Sequence, residues 1–218
     1  MNVYFISGIG ADYRLFTHLR LPEGHQPSYI HWIPPQKEEK LKDYALRLAE
    51  QIDLKKPFML VGLSLGGIMA VEIAKRYPPV CTIIISSVPV TAHLPKYYQL
   101  AYRLGLGKLV PASLLKMAAT VKHSLTMRSP LNRKLMRDII RSGDDHFIRW
   151  ALNAVLEWEN TTIPHPFFHI HGTRDEVFPI NLTRPTHIVP KGRHMLLMSR
   201  PETVNNILRE IITPIPTP

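Results

Sequence analysis

Five residues, Gly62-Leu63-Ser64-Leu65-Gly66, decide the fold, because an apolar run ends there and a helical pattern begins. Residues 58–63 predict a buried strand, and residues 65 to about 77 predict a helix that Pro78 ends. A serine on such a sharp turn is held exposed, and small residues two positions before and after it let strand and helix approach closely. Ser64 is therefore the candidate nucleophile. A plain glycine-rich turn is the alternative interpretation.

Strand and helix patterns alternate on both sides of this turn. The predicted strands are residues 3–7, 29–33, 58–63, 81–86, 167–170 and 186–189. Helical spacing of apolar residues predicts helices from Leu41 to Ile52 and from Glu202 to Ile212. Such alternation predicts an α/β fold, with a mostly parallel sheet flanked by helices.

A long helical segment interrupts the alternation. It runs over residues 91–160 and reads as four helices, near 97–106, 112–125, 131–142 and 144–158. Residues 1–90 and 161–218 then form the core, and residues 91–160 form a helical insertion. Eleven lysines and arginines against five acidic residues give the insertion +6 of the whole chain's +10. Its basic character suits an acidic partner, although a solvated charged face is the simpler interpretation.

The first predicted strand ends in the turn Ser7-Gly8-Ile9-Gly10. A dinucleotide-binding loop would need a third glycine at position 13, where the chain has Tyr13. We interpret the turn instead as an anion-stabilising element. The backbone N–H groups of Ile9 and Leu65 are the candidate donors to a developing oxyanion.

A serine nucleophile needs a base and an acid that orients the base. His194 lies in the loop between the last predicted strand and the last helix, at the same sheet edge as Ser64. Asp175 follows the penultimate strand and is the candidate acid, with its neighbour Glu176 as the alternative. The chain order Ser64, Asp175, His194 is the nucleophile, acid, base order that this strand-and-helix architecture uses, and it differs from the two common protease orders.

Two further features suggest structural roles. His169 and His171 lie two residues apart on one face of a strand, so a metal site is conceivable, but the sequence shows no supporting carboxylate. We therefore predict no metal. Cys81 is the only cysteine, and it lies in an apolar run, which favours a buried small hydrophobic residue in a reducing compartment.

Four motifs, in chain order, resemble the α/β-hydrolase superfamily, specifically its compact, lidded bacterial esterase-like members. They are Ser7-Gly8-Ile9-Gly10, Gly62-Leu63-Ser64-Leu65-Gly66, His171-Gly172-Thr173-Arg174-Asp175 and Gly192-Arg193-His194. The resemblance covers the whole chain except the insertion, which begins where that family carries a lid. Three departures stand out. Ser7 replaces the family's usual histidine, Arg193 replaces a common glycine, and the N-terminal antiparallel hairpin is missing.

The resemblance implies a serine hydrolase that cleaves a carboxylic ester through an acyl-enzyme, with neither metal nor cofactor. A thioesterase or esterase acting on an acyl group held by an acidic carrier protein is the second hypothesis. A non-catalytic ligand-binding protein with this fold is the third, because a fold does not determine a function. Arg193 either points to solvent or contacts an anionic group of the substrate.

The remaining expectations come from composition. No apolar stretch reaches the length of a membrane span, and the N-terminus lacks a signal-peptide pattern, so we expect a cytoplasmic protein. No nucleic-acid-binding motif accompanies the positive charge, so we expect no nucleic-acid partner. The sequence says nothing about the oligomeric state or the identity of the acyl group.

Overall fold

A computed structural model of the chain describes residues 1–103, 116–117 and 129–216. The six strands in this part form one wholly parallel sheet, in the order β2-β1-β3-β4-β5-β6. Its strands are β1 (Asn2–Ile6), β2 (Gln26–Ile30), β3 (Phe58–Leu63), β4 (Cys81–Ile85), β5 (Phe167–Gly172) and β6 (His187–Val189). The predicted fold class is confirmed.

Helices cover both faces of the sheet. The described α-helices are α1 (Leu41–Leu48), α2 (Leu65–Arg76), α3 (Lys96–Arg103), α4 (Pro130–Ser142), α5 (Asp145–Leu156), α6 (Leu196–Ser199) and α7 (Pro201–Ile212). Short 3₁₀ turns span Tyr13–Phe16, Ala49–Gln51, Thr91–His93 and Ile180–Leu182. The sequence did not predict α6, and the helix expected near 112–125 lies largely outside the described residues.

The sheet separates two apolar cores, because successive side chains of a strand point to opposite faces. Tyr4 and Ile6 of β1 pack in one core with α1 and α2. Val3 and Phe5 pack in the other core with α7. Cys81 is fully buried in this second core, as predicted, and burial raises the pKa of its thiol to about 12.

The predicted position of β2 was wrong by three residues. The sequence placed this strand at 29–33, whereas the structure has Gln26–Ile30, paired with β1 from Asn2 to Ile6. Residues 31–33 leave the sheet because side chains satisfy their backbone groups. The Tyr44 hydroxyl accepts from Ile33 N (3.0 Å) and donates to its carbonyl (2.8 Å), and the Gln51 amide bonds both backbone groups of His31.

The described part of the insertion packs on both faces of the sheet domain. In α4, Met136 and Ile139 join the core that contains α7, while Phe147 of α5 joins the other core. After α5, the Trp158 indole N–H donates to the buried carboxylate of Glu72 (2.9 Å). Helices α4 and α5 are therefore held firmly against the domain that carries the sheet.

No helix within the described ranges is both long and apolar enough to cross a bilayer.

Candidate active site

Ser64 has a strained backbone at the junction of β3 and α2. Its φ of 54° and ψ of −119° lie in a region that costs a non-glycine residue about 1–3 kcal/mol. Two hydrogen bonds hold this conformation. Ser64 N donates to the carbonyl of Ile85 (3.0 Å), and the Ser87 hydroxyl donates to the carbonyl of Ser64 (2.6 Å). The strain is thus fixed by the neighbouring strand β4 and the turn that follows it.

The two glycines of the turn allow this geometry. A Cβ at Gly62 would lie 2.2 Å from the carbonyl oxygen of Gly66, and a Cβ at Gly66 would lie 2.1 Å from the carbonyl oxygen of Ile6. Both distances are too short for any side chain. Strand β3, the start of α2 and the end of β1 therefore come into backbone contact around Ser64.

The turn after β1 passes beside the candidate nucleophile. A Cβ built on Gly8 would lie 3.5 Å from Ser64 Cβ. The hydroxyl of Ser7 donates to the carbonyl of Ala11 (2.8 Å), and the Trp32 indole N–H donates to the same carbonyl (2.9 Å). Ser7, which stands where the family usually has histidine, thus braces the turn with its own side chain.

The two candidate oxyanion donors belong to the residue that follows Ser64 and to the turn that passes beside Ser64. One belongs to Leu65, the first residue of α2, and the other to Ile9 in the adjoining turn. Within the part of the chain that the structure describes, neither donates to a protein acceptor. Free N–H groups at the start of a helix favour negative charge. A role for these two N–H groups at an oxyanion remains a prediction.

His194 lies between Ser64 and Asp175. Its Nε2 is 3.0 Å from Ser64 Oγ, and its Nδ1 is 3.0 and 3.1 Å from the two carboxylate oxygens of Asp175. The three side chains come from the ends of β3, β5 and β6, which meet at the carboxyl edge of the parallel sheet. The geometry allows His194 to accept a proton from Ser64 while Asp175 orients the ring.

Asp175 is buried and held as a carboxylate. Burial by itself would raise its pKa, but the hydrogen bond from His194, reinforced by the backbone N–H of Phe178, lowers the pKa below its ordinary value. Its Oδ1 also accepts from Val177 N and Phe178 N, both at 2.9 Å. The acid is therefore ionised and fixed in place at neutral pH.

Glu176 and Arg193, the two remaining candidates, are both exposed. The carboxylate of Glu176 accepts a bond from the backbone N–H of His194 (3.3 Å), whereas Asp175 bonds the imidazole itself. Arg193 precedes His194 in the loop after β6. A role for Arg193 in substrate binding remains a prediction.

The two histidines considered for metal binding lie behind Asp175, fully buried on β5. His169 Nε2 is 3.0 Å from His171 Nδ1, and His171 Nε2 is 2.7 Å from the carbonyl of Phe178. The structure places a carboxylate near this pair that the sequence had not indicated, since Asp175 Oδ2 is 3.6 Å from His171 Nε2. Still, the described residues contain no group of three or more ligands suited to a metal ion.

These histidines make stability depend on pH. Burial, reinforced by the neighbouring His171, lowers the pKa of His169 to about 3, and burial also lowers that of His171. The unfolded chain therefore binds more protons than the folded one below about pH 6.5. We expect the free energy of unfolding to fall by up to about 1.4 kcal/mol per pH unit for each such histidine as the pH drops from 6.5.

Urea denaturation between pH 7.5 and 4.5 measures this loss. Asp175 contributes little to it, because a lowered carboxyl pKa matters only nearer pH 4. A His169→Phe variant should lose part of the slope, whereas an unchanged slope in that variant would contradict the assignment to His169.

Two residues of the site escaped the sequence analysis. Ser87 holds the carbonyl of Ser64, and the ring of Phe178 packs edge-on against that of His194 with centroids 5.7 Å apart. Ser87 could have been found from its position, because Ser86 and Ser87 directly follow β4 at the same sheet edge as the Ser64 turn. Nothing in the sequence pattern distinguished Phe178 from any other core residue.

The chain belongs to the alpha/beta hydrolase family, whose sequence profile matches residues 5–207. This match confirms the superfamily resemblance that was predicted from the sequence. The chain is thus a hydrolase of the α/β class. No curated protein matches it significantly by sequence.

Solved structures of similar fold cover nearly the entire chain. MenH from S. aureus superposes with a TM-score of 0.77 and 17% identity, covering 98% of this chain and 94% of MenH. A malate-bound thermophilic esterase from Thermogutta terrifontis gives 0.72 and 18%, over 98% and 90%. ClbQ from the colibactin NRPS/PKS pathway gives 0.63 and 16%, over 98% and 97%. At these identities the likeness concerns the fold alone.

Proposed function

We propose that the protein is a serine hydrolase that cleaves a carboxylic ester through an acyl-enzyme on Ser64. The observation that carries the proposal is the continuous contact from Ser64 Oγ to His194 Nε2 and from His194 Nδ1 to the Asp175 carboxylate, each at 3.0 Å. The strained backbone of Ser64 supports it, because such strain concentrates at active sites.

In the acylation step, Ser64 Oγ attacks the ester carbonyl carbon while His194 Nε2 takes the hydroxyl proton. The carbonyl oxygen becomes an oxyanion that accepts hydrogen bonds from Ile9 N–H and Leu65 N–H. The carbon–oxygen bond to the alcohol then breaks, and His194 returns the proton to the departing alkoxide. Asp175 stabilises the imidazolium throughout and stays ionised.

In the deacylation step, a water molecule attacks the acyl-enzyme. His194 takes its proton and afterwards returns it to Ser64 Oγ, so the acid product leaves and the free enzyme is restored. Intact-protein mass spectrometry after rapid acid quenching of a p-nitrophenyl ester reaction should show the mass of the acyl group on the protein. Turnover without any acylated species, when deacylation is slowed by low pH, would contradict the covalent route.

A thioester held by an acidic carrier protein is the second candidate. Helix α4 is tied to the catalytic edge, because Asn132 Nδ2 donates to the carbonyl of Met198 (3.2 Å) in the helix that follows the His194 loop. On α4 and residues 193–202, exposed cations outnumber the two exposed acids, Asp138 and Glu202. The cations are Lys134, Arg137, Arg141, Arg193 and Arg200.

A salt titration separates the two candidates. If the substrate is carrier-bound, turnover should fall steeply between 50 and 500 mM salt on the carrier substrate and stay nearly constant on a free ester. A charge-reversed Arg137→Glu variant should lose activity on the carrier substrate only. Equal salt responses on both substrates would exclude the acidic carrier.

We also propose that residues 91–160 act as a lid over this site, with residues 1–90 and 161–218 as the hydrolase core. The support is contact at the oxyanion turn, where a Cβ on Gly10 would lie 2.9 Å from Ile148 Cδ1 and one on Gly143 would lie 2.7 Å from the Gly10 carbonyl oxygen. The insertion therefore borders the turn that carries Ile9.

A further inference from the structure

Two fully buried histidines on β5 lie directly behind the triad acid. His169 and His171 point away from Ile170, which packs in the core on the other face of the sheet. Their rings meet edge-on, with centroids 4.9 Å apart. The reaction proposed above uses neither ring. A buried polar pair costs free energy unless its hydrogen bonds are made, so its partners indicate what it does.

The Phe178 carbonyl determines which ring nitrogen of His171 carries the hydrogen. The oxygen of Phe178 can only accept, so His171 Nε2 carries the hydrogen of their 2.7 Å contact. The Nδ1 of the neutral His171 ring is then an acceptor, and His169 Nε2 donates to it at 3.0 Å. His169 Nδ1 makes no hydrogen bond of ordinary geometry among the described residues, although the nearby backbone of Ser87 acts to raise the pKa of the ring against the larger effect of burial.

The hydrogen bonds from His169 to His171 and on to Phe178 end at the loop that contacts His194, the candidate base. Phe178 is bound from both sides, since its carbonyl accepts from His171 and its N–H donates to Asp175 Oδ1 (2.9 Å). Its ring packs against the imidazole of His194. Losing the His171 donor would free the Phe178 carbonyl, and with it the loop that orients Asp175 and His194.

We propose that His171, held in its donor tautomer by His169, is a positioning residue that fixes the Asp175–Phe178 loop against His194. It contacts neither the nucleophile nor the substrate. The inference rests on the proposed function. Because it acts through orientation of the base, it affects the chemical step and leaves ester binding nearly unchanged.

The test compares His171→Phe with His171→Gln. Phenylalanine keeps a flat ring but has no donor, whereas glutamine retains a side-chain N–H for the Phe178 carbonyl. We expect kcat on a p-nitrophenyl ester to fall about 10- to 100-fold in His171→Phe with KM changed less than about threefold, since small misplacements at a catalytic centre have effects of this size. The glutamine variant should recover most of the loss.

Folding is monitored by circular dichroism and thermal unfolding. The control is Thr82→Val, which replaces a fully buried hydroxyl on neighbouring β4 and should keep the parent kcat. If His171→Phe does not fold, His169→Phe removes the donor to His171 and should give a smaller loss, about 3- to 10-fold.

Parent-like kcat in folded His171→Phe, or equal losses in the Phe and Gln variants, would overturn the positioning role. A parallel Ser64→Ala measurement keeps the two hypotheses apart. If Ser64→Ala retains activity, the proposed function fails. If it is inactive while His171→Phe has the parent kcat, the positioning role alone fails.

Discussion

Replacing Ser64 with alanine should lower kcat on a short p-nitrophenyl ester by about 10⁴- to 10⁶-fold. The substitution removes the hydroxyl oxygen that lies 3.0 Å from His194 Nε2, on the strained residue that directly precedes α2. Any residual turnover above the uncatalysed rate of hydrolysis in water would come from the N–H groups of Ile9 and Leu65. Steady-state kinetics on purified protein measures the effect, and circular dichroism checks that the variant is folded.

A matched control is Ser199→Ala. This serine is exposed at the end of α6, where its hydroxyl donates to the Met195 carbonyl (2.9 Å), and we expect its loss to leave kcat within twofold. Activity of Ser64→Ala within tenfold of the parent would remove Ser64 from the reaction.

Asp175→Asn should lower kcat by about 10⁴-fold, the second largest effect that we expect. An asparagine amide supplies no negative charge for the imidazolium, and its NH₂ can donate to His194 Nδ1, which selects the wrong tautomer for accepting the Ser64 proton. The parent carboxylate accepts from Val177 and Phe178 as well, so an amide oxygen can keep those two bonds. The loss is then chemical rather than structural.

Glu176→Gln is the control for the acid. Because Glu176 is exposed and bonds the backbone N–H of His194 rather than its ring, its neutralisation should change kcat less than about threefold. The opposite ranking of the two variants would transfer the role to Glu176, the alternative that the sequence left open.

The parts of the site that the sequence predicted share one physical basis. A strand-to-helix turn with glycines at 62 and 66 leaves little freedom, since both positions admit no Cβ. In a parallel sheet every strand ends at the same edge, so loops after β5 and β6 had to bring Asp175 and His194 towards Ser64. Their roles stay predictions until the variants are measured.

The parts that the sequence could not predict depend on tertiary contacts. The hydrogen bonds from Tyr44 and Gln51 that pull residues 31–33 out of the sheet come from α1 and the turn that follows it, well apart in the chain. The His171–Phe178 bond depends on a loop conformation that no periodicity encodes. The identity of the acyl group is harder still to predict, because several apolar residues of the insertion, such as Leu104 and Leu125, lie outside the described residues.

Labelling with a fluorophosphonate probe tests the central claim most directly, because the probe reacts only with an activated serine. Peptide mapping by mass spectrometry should place one probe adduct on Ser64 in the folded protein, and His194→Ala should slow labelling by at least about 100-fold. A folded protein that remains unlabelled, or an adduct on a different serine, would contradict the assignment of Ser64 as the nucleophile and favour a ligand-binding role for this fold.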